Sequence, residues 1–259
     1  MDLHEIISLV LILTLTNASA QPKCETYQEE NVVCSPPSAD FVLQRGLVSD
    51  NNKTTAITLR ACRITDLDYE AFENDHSLQY IDLSLNKINS LKLGVLDGNP
   101  RVTHLNLSYN MLTTFPLGLF DDKLNIEVLD LKGNRINLIK LGVFDPLKKL
   151  VHLDLSSNAI IGKDLDPYIF DQSQKIKFID FSRNNMADAP EILLHAFSEL
   201  DFINLDRCSL SEVPSFVARP NLKTMKHLML STNQITKLVK PRTMFSFVSI
   251  VNCGIFLYI

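Results

Sequence analysis

Three short segments of the sequence combine side chains that can perform acid–base or metal chemistry. They read Y-I-D-L-S at 80–84, H-L-N-L-S at 104–108 and H-L-D-L-S at 152–156. Imidazole, carboxylate and hydroxyl groups serve as proton carriers, nucleophiles or metal ligands when they converge on one point. Here the segments begin 24 and 48 residues apart, so they recur with a fixed period. We therefore interpret them as copies of a repeated unit.

The period extends over most of the chain and centres on an Asn or Cys. This residue recurs every 24 to 26 positions, at Cys62, Asn86, Asn110, Asn134, Asn158, Asn184, Cys208 and Asn233. An apolar pair precedes each copy, as Leu105 and Leu107 precede Asn110, and another apolar residue follows two positions later. The alternation predicts a short strand with one buried face. The Asn can then bond backbone groups that a turn leaves unpaired.

This pattern resembles the leucine-rich repeat, LxxLxLxxN/CxL, over residues 54–240, which we divide into repeats 1–8. The resemblance implies an α/β fold, a leucine-rich-repeat solenoid curved like a horseshoe, with parallel strands on its concave face. Each unit is too small to bury its own apolar face, so neighbouring units share one core. The Asn and Cys residues then form an internal ladder, in which Cys62 and Cys208 are expected to be buried, unreactive thiols.

Residues 1–20 are typical of a signal peptide, although they contain no Lys or Arg. Their apolar run, Ile6–Leu15, is too short to span a bilayer, and Ala18-Ser19-Ala20 is a fitting cleavage site. Their removal changes the formal charge from −5 to −3, because Asp2 and Glu5 are lost. The nearly balanced charge and the lack of a basic run argue against a nucleic-acid partner. We expect a secreted, extracellular protein without a membrane span.

Residues 21–53 resemble the N-terminal cap of extracellular leucine-rich-repeat proteins. They hold Cys24 and Cys34 in a polar, Pro-containing segment. The resemblance implies a disulfide between these two cysteines, in a cap that covers the open end of the first repeat. Two Asn-X-Ser/Thr sequences, at Asn52 and Asn106, predict N-glycosylation. Asn52 belongs to the loop before the repeats, whereas Asn106 lies on the predicted concave face.

Residues 241–259 form a degenerate or truncated ninth repeat with an apolar tail. Three interpretations are open. The natural chain continues beyond this point, the apolar end pairs with a second copy, or the tail is the removable part of a lipid-anchor signal. We favour the first. Cys253 has no obvious partner, so it and the tail both offer routes to self-association.

Two columns of side chains flank the buried pair and point into the predicted concave face. The column just before the pair is aromatic or imidazole at six of its eight positions, namely Tyr80, His104, His152, Phe178, Phe202 and His227. The column inside the pair is acidic at four of its eight positions, namely Asp82, Asp130, Asp154 and Asp180. We predict that both columns bind a ligand, since rigid rings in a line are typical of recognition surfaces. The acidic column also has a local explanation, because short polar side chains bond neighbouring backbone.

The same columns do not predict catalysis or a metal site. His104 and His152 would lie two strands apart, roughly 10 Å at about 4.8 Å per strand, whereas metal ligands lie at about 2.1 Å. The recurring Ser lacks the glycines of a nucleophile elbow, and no Gly-rich phosphate loop occurs. We expect no catalytic residue, no metal and no cofactor, and hence a protein that is not an enzyme.

The sequence thus predicts a recognition protein that binds a protein or glycan through its concave face. Its cap and phrases such as DLSLNKI and LDLSSN are most similar to the secreted leucine-rich immune proteins of insects. That resemblance implies protein partners and a role in innate immunity, whereas the coiled coil through which those proteins pair is not found here. Two alternatives stay open: a truncated ectodomain of a Toll-like receptor or adhesion protein, and an extracellular enzyme inhibitor.

Overall fold

A computed structural model describes most of the cap and most of the eight predicted repeats. The described residues are 22–27, 31–46, 53–73, 75–121, 125–236 and the backbone of 249–251. The cap strands are β1 (Lys23–Tyr27), β2 (Asn31–Ser35) and β3 (Phe41–Leu43). The later strands are β4 (Ala56–Thr58), β5 (Ile64–Leu67), β6 (Tyr80–Asp82), β7 (His104–Asn106), β8 (Val128–Asp130), β9 (His152–Asp154), β10 (Phe178–Asp180), β11 (Phe202–Asn204), β12 (His227–Met229) and β13 (Ser249–Val251).

One sheet of eleven strands runs through the molecule. Its order is β1, β2, β4 and then β6 to β13 in sequence, while β3 and β5 form a separate parallel pair. Among the described strand pairs of this sheet, only β1 and β2 are antiparallel. From β2 onward each strand of this sheet pairs with its neighbour in parallel. This is because every repeat carries the chain back to the end of the sheet at which the preceding strand began. Pairing is in register, so that Ile81 lies beside Leu105 and Leu105 beside Leu129.

The predicted apolar pairs form the continuous core. From Ile57 and Leu59 in the first repeat to Leu228 and Leu230 in the eighth, each of their side chains is at most 1% exposed. A residue that is buried in every copy fixes the register of its strand, because a slip by one position would turn the pair towards solvent. The predicted repeat register is therefore confirmed.

The Asn and Cys residues form the predicted ladder beneath the sheet. The amide of Asn110 donates to the carbonyl oxygens of Leu83 at 2.9 Å and Leu107 at 3.0 Å, and its Oδ1 accepts from the Ile88 amide at 3.0 Å. Each such Asn thus bonds its own repeat and the preceding one. Together these bonds satisfy buried backbone groups that the turns leave open.

Cysteine replaces part of this bonding where it occupies the ladder. The thiol of Cys208 donates to the Phe181 carbonyl at 3.3 Å. Sulfur is a weak acceptor, so it cannot stand in for the amide oxygen of Asn. An Asn at this position would have accepted a hydrogen bond from the Met186 amide. With Cys in its place, that amide donates to the backbone carbonyl of Cys208 at 3.0 Å. The exchange explains why Cys fits this position without leaving a buried amide unpaired.

The residue before each ladder position has a left-handed backbone. The eight residues are Ala61, Leu85, Tyr109, Gly133, Ser157, Arg183, Arg207 and Thr232, with φ between 54° and 67°. The conformation is unfavourable for residues with a Cβ and recurs because each strand must turn sharply into its Asn. At Gly133 glycine is also required by close approach, because a Cβ would lie 2.6 Å from the ring of Tyr109.

The N-terminal cap contains the predicted disulfide. Cys24 and Cys34 are paired across the β1–β2 hairpin and joined through their sulfur atoms. Strand β2 then adds to the sheet beside β4, and the buried Val32 lies next to Ile57 of the first repeat. The disulfide and the covering of the first repeat are therefore confirmed.

A three-residue ion cluster holds the segment after β2 against the repeats. The carboxylate of Asp40 accepts from Arg63 at 3.1 Å and from Lys87 at 2.7 Å. The side-chain bond from Lys87, followed by that from Arg63, keeps the pKa of Asp40 below its ordinary value. The exposed cluster connects the cap to repeats one and two.

The predicted leucine-rich-repeat solenoid with parallel strands and a closed cap is confirmed, with one difference in its returning segments. Within the described ranges no α-helix occurs. Turns and two 3-10 helices, Gly162–Asp164 and Ser215–Ala218, carry the chain back to the sheet. Glycines with φ from 85° to 90°, at Gly94, Gly118 and Gly142, interrupt these segments and prevent a continuous helix.

Several predictions concern residues that are not described. The signal peptide at 1–20, the acceptor Asn52 and the thiol of Cys253 lie outside the described residues. Of the predicted tail, 241–259, only the backbone of β13 is described, and it pairs with β12 so that Ile250 lies opposite Leu228. No helix in the described part of the chain is long and apolar enough to cross a membrane.

Candidate ligand-binding face

The six predicted rings lie in one row on the sheet face, by which we mean the face turned away from the core. Strand pairing places Tyr80, His104, Val128, His152, Phe178, Phe202 and His227 side by side in successive repeats. We call this row the ring column. Because side chains alternate along a strand, residues of the ring column stand opposite the buried residues that follow them, as Tyr80 stands opposite Ile81.

Four members of the ring column are packed against one another. The rings of His152 and Phe178 are 4.0 Å apart between centroids and 4° from parallel, and those of Phe178 and Phe202 are 4.5 Å and 7°. His227 follows at 6.2 Å with a tilt of 46°. The strand spacing of about 4.8 Å allows this face-to-face contact. The stacked rings cover each other's faces and present their edges outward.

Val128 interrupts the ring column. On its other side, Tyr80 and His104 form a separate pair with centroids 6.2 Å apart and a tilt of 36°. The column therefore consists of two groups of rings, one of two members and one of four. The exposed ends differ from the stacked middle: Tyr80 is 38% exposed, whereas His152, Phe178 and Phe202 are half-buried.

Burial changes the titration of the inner histidine. Partial removal of His152 from water lowers its pKa below the ordinary value of 6.5, against the opposing pull of Asp154 and Asp180. The neutral imidazole loses less hydration than the charged form when it stacks on Phe178. The middle of the ring column is therefore uncharged around neutral pH.

The acidic column lies beside the rings and has a structural task. In each of Asp82, Asp130, Asp154 and Asp180, Oδ1 accepts from the amide two residues further on, at 2.7 to 3.0 Å. These local bonds close the turn at the end of each strand. A second oxygen takes part at Asp180, where Oδ2 accepts from the side chain of Asn204 at 2.9 Å.

The four carboxylates differ in burial. Asp82 and Asp180 are at most 9% exposed, whereas Asp130 and Asp154 are more accessible. Burial raises the pKa of both Asp130 and Asp180, although bonds to neighbouring amides and side chains oppose the rise. Asp130 and Asp154 are thus the better placed to meet a charged group from outside. Whether either column binds a ligand stays a prediction.

The predicted acceptor Asn106 lies on the sheet face next to His104. Its Oδ1 accepts from the Ser108 amide at 3.0 Å and from the Ser108 hydroxyl at 2.7 Å. Both bonds use the side-chain oxygen, so a sugar on Nδ2 would leave them intact. Its glycosylation stays a prediction.

Metal-ligating side chains do not cluster among the described residues. No cluster of three or more His, Cys, Asp or Glu side chains there could hold a metal ion. His104 and His152 are separated by the full width of β8, as the repeat spacing predicts.

Two further surface features are not among the predicted site residues. Arg183 and Arg207 stand side by side at a shallow pocket of about 480 Å³ on the loop edge, with Ser209 in its wall. On the returning segments, Tyr69, Leu93, Leu117 and Leu141 are each 50–59% exposed at intervals of 24 residues. Both features follow the 24-residue period that marks the core, but they lie at positions of the repeat whose residue type varies.

Comparison with known proteins agrees with this architecture. Residues 52–112 and 109–160 match the model of the leucine rich repeat family. No curated protein matches the sequence. Among solved structures, the chain is similar to that of a crystal structure of a TLR13–ssRNA13 complex, with a TM-score of 0.60 and 22% sequence identity over 72% of this chain. It spans 29% of the length of that chain. On its repeat register and its ladder the chain has the leucine-rich-repeat fold, and residues 52–160 match the model of that family.

Proposed function

We propose that this protein is a secreted, non-enzymatic recognition protein that binds a protein partner through its sheet face. The observation that carries the proposal is the stack of His152, Phe178 and Phe202, with rings at 4.0 and 4.5 Å, on a face that the core does not use. Polar residues would satisfy a solvated sheet equally well. Pre-stacked rings lose little side-chain entropy on binding and bury a large area, which is typical of interface anchors.

The charges of the sheet face support a protein rather than a nucleic acid as partner. Carboxylates at Asp82, Asp130, Asp154 and Asp180 accompany the rings along the sheet. A phosphate backbone is bound through Lys and Arg, whereas this column contains four carboxylates and no basic residue, so it repels such a backbone. The RNA in the TLR13–ssRNA13 structure is part of that complex, and we do not propose RNA as a ligand of this chain.

Secretion and a role in innate immunity are part of the proposal. The disulfide of Cys24 and Cys34 suits an oxidising compartment. The apolar run before Ala18-Ser19-Ala20 suits a signal peptide. The immune role is supported by the similarity of the cap and repeat phrases to the secreted immune proteins of insects. The mass of the intact protein from its natural source tests secretion, since it reports cleavage after Ala20 and sugars at Asn52 and Asn106.

Capture of partners from extracellular fluid tests the binding face. The tagged protein is compared with the double variant Tyr80→Ala and Phe178→Ala, which removes one ring from each group of the ring column. The matched control is Tyr69→Ala with Tyr168→Ala, which removes two rings that are 59% and 49% exposed outside the sheet. We expect the first variant to lose its partners and the control to keep them. Equal capture by all three proteins would contradict the proposal.

Stability is measured on the same variants, because Phe178 packs between two rings. Loss of these contacts should cost on the order of 1 kcal/mol, less than for a fully buried Phe. Capture is therefore compared well below the melting temperature of the least stable variant. Lost binding in a folded variant is then due to the missing rings.

A further inference from the structure

The gap in the ring column at Val128 has two imidazole rings as its walls. Val128 pairs with His104 on one side and with His152 on the other. At about 4.8 Å per strand, the two histidine backbones are about 10 Å apart. A planar group stacked between two rings needs about 3.5–4.0 Å on each side, or about 7–8 Å in all. The backbone spacing therefore leaves room for one planar group between the two imidazoles.

The rings that border the gap are supported from behind. His152 stacks on Phe178 at 4.0 Å, and His104 has Tyr80 as its neighbour at 6.2 Å. Among the described ring contacts, none covers the side of either imidazole that faces Val128. Val128 itself is only partly exposed and forms an apolar floor. The gap is thus a slot between two rings, of which His152 is held by its stack on Phe178 and His104 is exposed and tilted towards Tyr80.

The charges around the slot favour a cation. The segments 103–108, 127–132 and 151–156 contain the carboxylates of Glu127, Asp130 and Asp154 and a single ammonium, that of Lys132. Asp130 lies on the same strand as Val128. Its Oδ1 accepts from the Lys132 amide at 3.0 Å, which fixes the carboxylate beside the slot. A positive group in the slot would meet more negative than positive charge.

We propose that the slot at Val128 binds one arginine side chain of a protein partner, an inference that rests on the proposed function of the sheet face. A guanidinium is planar and permanently charged, stacks on flat rings and pairs with carboxylates through two hydrogen bonds. A lysine ammonium carries the charge but does not fill a flat slot. An aromatic ring fills the slot but brings no positive charge to Asp130 and covers that carboxylate from water.

Titration with a small arginine derivative tests the slot directly. The probe is N-acetylarginine N-methylamide, and the readout is the pair of imidazole NMR signals of His104 and His152. We expect both signals to shift saturably, with affinity at least about tenfold higher than for the citrulline analogue, which has the same shape without the charge. No shift with arginine, or equal affinity for citrulline, overturns the proposal.

Filling the slot provides the second test. Val128→Phe places a ring between the two histidines, and we expect it to abolish the arginine response. Val42→Phe is the same change at an exposed residue outside the main sheet and should leave the response unchanged. An arginine response that survives in Val128→Phe contradicts the slot. If that variant fails to fold, Asp130→Asn, which keeps an acceptor for the Lys132 amide, should lose the preference for arginine over citrulline, and a preserved preference overturns the proposal.

Partner capture separates this inference from the proposed function. Suppose that Val128→Phe captures the partner as well as the original protein, while the Tyr80→Ala and Phe178→Ala variant does not. The arginine site is then wrong and the recognition face stands. Unchanged capture by the Tyr80→Ala and Phe178→Ala variant instead removes the proposed function, whatever the probe does.

Discussion

The imidazole of His152 lies parallel to the ring of Phe178, with 4.0 Å between their centroids and 4° between their planes. The contact joins a titratable ring to one that cannot titrate. Burial lowers the pKa of His152, so protonation of the folded protein needs a lower pH than protonation of the unfolded chain. The stacked pair therefore links the stability of the sheet face to pH.

We expect His152→Phe to reduce the sensitivity of the fold to mild acid. With a folded pKa below 6.5, the unfolded chain binds more protons as the pH falls below 6.5. The contribution of His152 to stability is thus present above that pH and lost as the pH falls towards the folded pKa. Urea unfolding at about pH 7.5 and about pH 5 should show a smaller loss in the variant.

The control for this experiment is His227→Phe at the exposed end of the ring column. It makes the same chemical change without altering the buried imidazole. Equal losses of unfolding free energy in the original protein and in His152→Phe would show that His152 is not kept neutral by the fold. Asp130 and Asp180 have folded pKa values above the ordinary 3.8, so these carboxyls bind protons more readily in the folded protein than in the unfolded chain. As the pH falls, they therefore change the stability in the opposite sense to His152. They are common to all three proteins.

The left-handed position before the ladder predicts a stabilising glycine. Ala61 has φ of 56° and an exposed side chain. A Cβ in this conformation costs about 1–2 kcal/mol, and its removal by glycine recovers that cost. The greater conformational freedom of glycine in the unfolded chain offsets about 0.4–1 kcal/mol of the recovered free energy. Ala61→Gly should therefore raise the free energy of unfolding by about 0.5–1 kcal/mol, as measured by urea denaturation. Ala159→Gly, at an exposed site without positive φ, should lower it, and two changes of the same sign would contradict the prediction.

The ladder cysteines should resist alkylation in the folded protein. Desolvation by burial raises the pKa of Cys62 to about 11 and that of Cys208 to about 12. The reactive thiolate is thus scarce near neutral pH, and the sulfur atoms are shielded from the reagent. We expect iodoacetamide to modify neither thiol in the native protein and both in urea, as read by peptide mass spectrometry. Rapid native labelling of either residue would show that its repeat opens.

The fold was predictable because burial repeats. Leu105 and Leu107 have counterparts in every copy, and only one register buries them all, so periodicity alone determines which residues form strands. The bridge between Cys24 and Cys34 followed from resemblance to a known kind of cap. The segments that return to the sheet were less predictable, since turns broken by glycines such as Gly118 leave a weaker pattern than a helix does.

The candidate site was predictable as a row but not as a stack. The spacing places His152, Phe178 and Phe202 on neighbouring strands, whereas their parallel packing depends on side-chain rotamers that no single repeat determines. The left-handed backbone at Leu85 and Tyr109 was equally hidden. Neither residue type favours that conformation, and the ladder imposes it.

The short 3-10 helix at Gly162–Asp164 shows where the chain tolerates a change in length. It lies in the one interval of 26 residues, between Asn158 and Asn184. Across this interval, Asn184 still accepts from the Ile160 amide at 3.0 Å and donates to the Leu155 carbonyl at 2.9 Å. The additional residues have been absorbed between two anchored positions. The same interval is consequently a place to graft an epitope or a reporter peptide without shifting the phase of the repeats on either side.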